Sequence, residues 1–297
     1  MRLIKSSPAV LLLLLITACQ KESPLQAPAP DGDSVAEDAN RDFEAELEAK
    51  IQAHLAGSGL AKVNATEITG PTVITAPGIY RVKRSFSASA DGIVIQSDFV
   101  ILNLADHRIT GPGNKTGRGI VLDGVSHVLV RNGDLRTFGT GVALLAASHS
   151  VVKNVDVQGG DEFADPPAGV PPQVGILLVN SNSNFIVGNE YEGINLGIFV
   201  RGGGSHNNFI TRNSAEAGAN GLLGVCYNPA SGEGDAGPTN DFVVQNFLSR
   251  FGTGIQASSG SANNRFNHNR INYINKPWED FNGTNEFTGN RTKQVSP

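Results

Sequence analysis

A glycine followed by apolar residues recurs along this chain as Gly92-Ile93-Val94-Ile95, Gly119-Ile120-Val121-Leu122, Gly141-Val142-Ala143-Leu144, Gly175-Ile176-Leu177-Leu178, Gly197-Ile198-Phe199-Val200, Gly221-Leu222-Leu223 and Gly254-Ile255-Gln256-Ala257. The spacings are 27, 22, 34, 22, 24 and 33 residues. A second marker keeps step behind it: Asn103, Asn132, Asn154, Asn189, Asn213, Asn246, Asn269 and Asn290. Three residues before each stands an apolar side chain, Val100, Leu129, Val151, Ile186, Ile210, Val243, Phe266 or Phe287. Two markers holding one register define an internal repeat.

Each unit carries three short strand-like patches and no helix-length periodicity, so a single unit has nothing to bury its apolar face against. Stacking like coils supplies that face. Strands of successive coils then pair in parallel, and a recurring asparagine can hydrogen-bond along the stack at a turn where it tolerates left-handed backbone. The expected fold is all-β, a single-stranded right-handed parallel β-helix of about eight coils over residues 66–292. The pattern resembles the pectin-lyase-like superfamily, including the Asn-rich repeats of carbohydrate-processing and copper-accessory β-helix proteins. That architecture hosts lyases, hydrolases, epimerases, adhesins and inert scaffolds, so function has to be read from a site.

The segment before the repeat divides in three. Arg2 and Lys5 precede an unbroken apolar run from Ala9 to Ile16, and small residues lead to Cys19. A run that short is a cleaved leader over residues 1–18, not a spanning helix. It resembles a bacterial lipoprotein signal, which implies lipid on Cys19, a membrane anchor and a place in the cell envelope; Gln20 after the cysteine implies the outer membrane. Residues 19–33 have the composition of an extended tether, with Pro24, Pro28 and Pro30. Over 34–57 Phe43, Leu47, Ile51 and Leu55 recur every four residues, an amphipathic helix that Ser34 and Glu37 can cap. Its single apolar stripe is expected to cover the open end of the stack.

Net charge is −5, and residues 21–50 alone hold nine acids against three bases, so the body is close to neutral. A nucleic-acid partner would require a basic footprint, and none is present in bulk. With Cys19 lipidated, Cys226 has no disulfide partner and reads as a small buried hydrophobe. No phosphate-loop, calcium-nonapeptide or zinc-protease motif occurs, and no cofactor is implied.

Two repeat intervals, of 34 and 33 residues, exceed the 22-residue unit by about a dozen, through insertions at 159–173 and 227–240. They are inserted on opposite sides of the glycine strands, and loops on a rigid scaffold concentrate sites. With the residue after each glycine turned inward, one outward column is Val94, Val121, Ala143, Leu177, Phe199, Leu223 and Gln256; the next is Gln96, Asp123, Leu145, Val179, Arg201, Val225 and Ser258. No acid ladder or acid pair stands there, so calcium-dependent lyase chemistry and glycoside hydrolysis lack their groups. Arg201 does stand there, with Asp161, Glu162 and Asp165 in one loop and Tyr227, Glu233 and Asp235 at the other. These types permit elimination or epimerisation at a uronic acid. Arg201 neutralises the carboxylate, Tyr227 moves a proton, Asp161 or Glu162 assists, and Phe199, Asp165, Glu233 and Asp235 hold the sugar. The alternative is a non-catalytic scaffold whose apolar face takes a protein partner or a second copy.

Two smaller constellations remain. Arg131, Lys153 and Arg212, each before a marker asparagine, would form a basic edge suited to a polyanion. His127 and His149 share one register, but no third ligand stands in line, so no metal site is expected.

Overall fold

The computed structural model describes residues 32–59, 64–113, 116–159, 172–218, 221–228, 236–281 and 283–296, with side chains in the helix described from residue 42 onward. Two compact units divide the chain, Met1–Glu37 and Asp38–Pro297, and the second holds the whole of the repeat. All strand pairs are parallel, and each coil contributes one strand to each of three sheets.

The glycine sheet is built from strands such as Arg118–Asp123, Thr140–Leu145, Val174–Val179, Leu196–Arg201 and Leu223–Asn228. Its inward column runs Thr72, Ile93, Ile120, Val142, Ile176, Ile198, Val225, Ile255 and Trp278, nine rungs among the described residues. A flank sheet includes Val100–Asn103, Phe185–Val187, Phe209–Thr211 and Phe242–Val244. A third sheet includes Glu190–Ile194 and Ser214–Ala217, and long strands such as Val128–Arg136 and Val151–Gln158 turn the corner from flank to third sheet. Inward Ile, Val and Leu from all three sheets form one core along the axis.

The glycines are there because coils approach closely. A Cβ on Gly119, Gly141, Gly175 or Gly197 would stand 2.7, 2.6, 2.6 or 2.4 Å from the carbonyl oxygen of the next glycine in the column. The next after Gly197 is Gly224, not Gly221: Leu196 pairs with Leu223, Ile198 with Val225, Phe199 with Cys226 and Arg201 with Asn228. The expected outward columns are corrected at that coil, where Val225 turns inward.

The asparagines act as a buried ladder, and only part of the sequence register survives. Asn189, Asn213 and Asn246 each pass an amide hydrogen to the carboxamide oxygen of the next rung, Asn213, Asn246 and Asn269, at 3.0 Å. Asn132 and Asn154 are not rungs. Their φ is +57° and +49°, matching Gly188, Arg212, Gln245 and His268 at the left-handed corner, and in Asn154's coil the Val155 N–H donates to Asn189. Arg131 and Lys153 therefore lie in strands one place before Arg212, and the expected basic column does not form.

Helix α1 spans Gly32–Gly57, beginning ahead of the expected Ser34 cap, whose side chain lies outside the described set. It is not an end cap. Leu47, Ile51 and Leu55 pack along the outside of the flank sheet against Ile101, Leu129, Val151 and Phe185. Phe43 stacks on Phe185 and His54 on Phe99, both at 3.9 Å, so the helix runs against the direction of coil succession. This face needs covering because Leu129 and Val151 point outward, in register with Phe185. Glu44 pairs with Lys153 at 2.6 Å, and Arg131 lies 3.8 Å from Glu44 and 3.5 Å from Glu48, which takes both cations out of any polyanion stripe.

Candidate functional site

The outer face of the glycine sheet lies between the roots of the two long insertions. The first leaves the third sheet after Gln158 and rejoins at Val174; the second leaves after Asn228 and rejoins the flank sheet at Phe242. Between those roots the outward column reads Ala143, Leu177, Phe199, Cys226, Gln256, Glu279. Beside it runs Asp123, Leu145, Val179, Arg201, Asn228. Ala143 and Cys226 are buried, while Leu177, Phe199, Arg201, Asn228 and Gln256 are partly exposed. Along the stack the face thus passes from the apolar Leu145, Leu177, Val179 and Phe199 to the polar Arg201, Asn228 and Gln256.

Strand alternation puts Phe199 and Arg201 on the same face two residues apart. Gln256 donates to Glu279 at 3.0 Å, and Gln96 donates to Asp123 at 3.1 Å. The Cys226 thiol is pushed up to about 12 by burial, so it is no nucleophile at neutral pH.

Tyr227 is corrected outright. It pairs with Val200 and Ala257, points into the core and has no exposed surface, and burial raises its hydroxyl well above the usual phenol range. It cannot reach a sugar on the outer face. Phe199 and Arg201 do share that face. Asp161, Glu162, Asp165, Glu233, Asp235 and Cys19 lie outside the described residues.

His127 and His149 do occupy equivalent corner positions, at φ +56° and +51°, followed by Ser183 and Asn207 rather than Asn184 and Asn208. Their rings stack face to face at 5.5 Å. Among the described residues no group of three His, Cys, Asp or Glu is placed to hold a metal ion, and no helix is long and apolar enough to cross a membrane.

Sequence reasoning missed Asp241. It stands in a second buried ladder, Asn184, Asn208, Asp241, Asn264, Asn285, where every other rung is an amide. The only signal was an acid where neighbouring coils carry Asn184, Asn208 and Asn264.

Three sheets of parallel rungs around one core, with an outer face between two loop roots, define a right-handed parallel β-helix. The chain belongs to the right-handed β-helix family: the model described as "Right handed beta helix region" matches residues 81–275. No curated protein matches the sequence. Solved structures similar to it include endo-xylogalacturonan hydrolase from Aspergillus tubingensis, 11% identical over 71% of this chain and 69% of that one, TM-score 0.47. The AlgE6 A-module of Azotobacter vinelandii mannuronan C-5 epimerase is 13% identical over 83% and 95%, TM-score 0.28. The AlgE4 A-module is 16% identical over 84% and 94%, TM-score 0.28. At these identities the likeness is one of fold alone.

Proposed function

We propose that this protein binds an acidic polysaccharide along the outer face of the glycine sheet, and does so in the bacterial cell envelope, held at the outer membrane by lipid on Cys19. The observation that carries the reading is the pairing on one strand of a partly exposed ring, Phe199, with a guanidinium, Arg201, between the roots of both long loops. A ring supplies an apolar platform for a sugar face, and a guanidinium matches a uronate carboxylate in a bidentate fashion. Asn228 and Gln256 on the following coils offer further hydrogen bonds along the stack.

Binding is the form the geometry supports best, because Tyr227 is internal and Cys226 is buried and protonated. A lyase or epimerase would draw its proton-transfer groups from Asp161, Glu162, Asp165, Glu233 or Asp235, with Arg201 acidifying the C5 proton. The row Leu145, Leu177, Val179 and Phe199 favours a second reading, a docking face for a protein of the envelope.

Calorimetry of the non-lipidated protein against alginate, pectate and glycosaminoglycans tests the proposal, with ultraviolet absorbance followed for unsaturated sugar ends. Saturable binding is expected, weakened at least about tenfold by Phe199→Ala or Arg201→Ala. Rising absorbance would make it a lyase. Absence of heat with every polysaccharide rejects the glycan reading in favour of the protein-docking one. Fatty-acid labelling lost on Cys19→Ser tests the anchor.

A further inference from the structure

In the second ladder each internal asparagine does the same three things. Its oxygen accepts from the rung before, and its amide donates both to the rung after and to a backbone carbonyl. Asn208 donates to Asp241 Oδ1 at 3.1 Å and to the Ser181 carbonyl at 2.9 Å; Asn264 donates to Asn285 at 3.0 Å and to the Pro238 carbonyl at 3.0 Å. Asp241 reproduces the accepting half: its Oδ1 takes the Asn208 backbone N–H at 2.6 Å as well as the side-chain amide. Its own N–H donates to Asn264 Oδ1 at 3.0 Å. The donating half is missing. Oδ2 stands where the other rungs carry NH₂; it makes no well-formed hydrogen bond, and among the described residues its one polar neighbour on that side is the Tyr227 hydroxyl.

The surroundings offer no cation. Asp241 has no exposed surface, and the groups that act on it are the Asn208 amides and the internal Tyr227 hydroxyl, which also lacks a well-formed hydrogen bond. An ionised carboxylate would place a charge in an apolar interior with only the Asn208 amides and the Tyr227 hydroxyl to offset its burial, while a carboxylic acid supplies the missing donor with nearly the shape of an asparagine.

We infer that Asp241 is built into the ladder as a neutral carboxylic acid, and that losing its proton breaks the rung and loosens the corner at which the chain rejoins the flank sheet after the second long loop. Burial, the largest influence, raises its proton affinity until it titrates at about 7. Because the folded form holds the proton more tightly than the unfolded chain does, the stabilisation is complete below the ordinary aspartate range. It is lost as pH rises through neutrality. The protein thus has a proton switch at one corner of one coil, between Tyr227 and the asparagines on either side.

The test is equilibrium unfolding of the intact protein and of Asp241→Asn, compared at the same pH so that every other titrating group cancels. The two are expected to be closest at about pH 4 and to diverge as pH rises to neutrality, the wild type unfolding at least about a hundredfold more readily, relative to the variant, at about pH 8.5 than at about pH 4. Protection of the Asn208 amide, whose N–H donates to Asp241 Oδ1, measured against the intrinsic exchange rate at each pH, should fall over the same range in the wild type only. A difference between the two proteins that does not change with pH would overturn the inference, since it would mark Asp241 as an ordinary structural rung. An isotope-edited carboxylate band for Asp241 at about pH 5 would overturn it as well.

Discussion

The carbonyl oxygen of Gly224 lies 2.4 Å from where a Cβ on Gly197 would stand. Backbone on both sides leaves no side chain to move aside, so Gly197→Ala must push two coils apart. We expect a loss of at least about 2 kcal/mol in urea unfolding. Gly70, with nothing within 4 Å, should accept alanine with little change.

Asn213 and Asn132 look alike in sequence and should behave in opposite ways. Asn213 accepts two bonds from Asn189 and donates to Ile186 and Asn246, all at 3.0 Å and buried. Asn213→Ala strands those groups and is expected to cost about 2–4 kcal/mol. Asn132 holds a left-handed corner at φ +57°, and Asn132→Gly should be neutral or slightly stabilising. Thermal midpoints of the two variants check both.

Docking of helix α1 should weaken in acid. Burial chiefly, with mutual repulsion and Lys50 of the helix, holds His127 below the ordinary histidine range; burial and Lys50 do the same to His149, and Asp98 offsets only part of the effect on His127. Lys50 itself is paired with Glu46 at 3.3 Å, and His54 stacks on Phe99 at the end of the same ring column. A depressed histidine favours the docked state when neutral, so docking is complete above the ordinary histidine range and declines as pH falls through it. Protection of the amides over residues 43–57, measured against the intrinsic exchange rate at each pH, should fall in acid. His127→Asn with His149→Asn should flatten that response, because Asn207 and Asn240 already fill the same corner at φ +56° and +57°.

Cys226 should resist thiol reagents in the folded protein. It is 3% exposed, and burial keeps it protonated. Labelling is expected to proceed at the rate of unfolding and to reach the ordinary thiol rate only in denaturant. Fast labelling in native buffer would contradict the placement of this side chain.

Much of this architecture was legible beforehand because close packing leaves few residue types to choose from. A column of glycines marks backbone meeting backbone, and a column of asparagines marks a group that must donate and accept in one interior place. The site was less legible. Tyr227 reads as a loop residue when Gly221 is taken as the marker, and becomes an inward core residue once Gly224 takes that place. Leu129 and Val151 fit the same motif as Ile186 but face the opposite way, since a slip of one residue in a strand exchanges the faces.

What the sequence determined by itself was the repeat, the parallel stack and the amphipathic stripe of the helix, all of which derive from residue type and period. Only the tertiary structure decided the register within each coil, the flank on which the helix lies, and the rung occupied by Asp241. Those depend on which coil pairs with which position of the next, a relation between residues 20 to 40 apart that local spacing does not carry. Arg131 and Lys153 show the consequence: in the chain they resemble a free basic edge, and in the fold they are held by Glu44 and Glu48 of a helix more than 80 residues away.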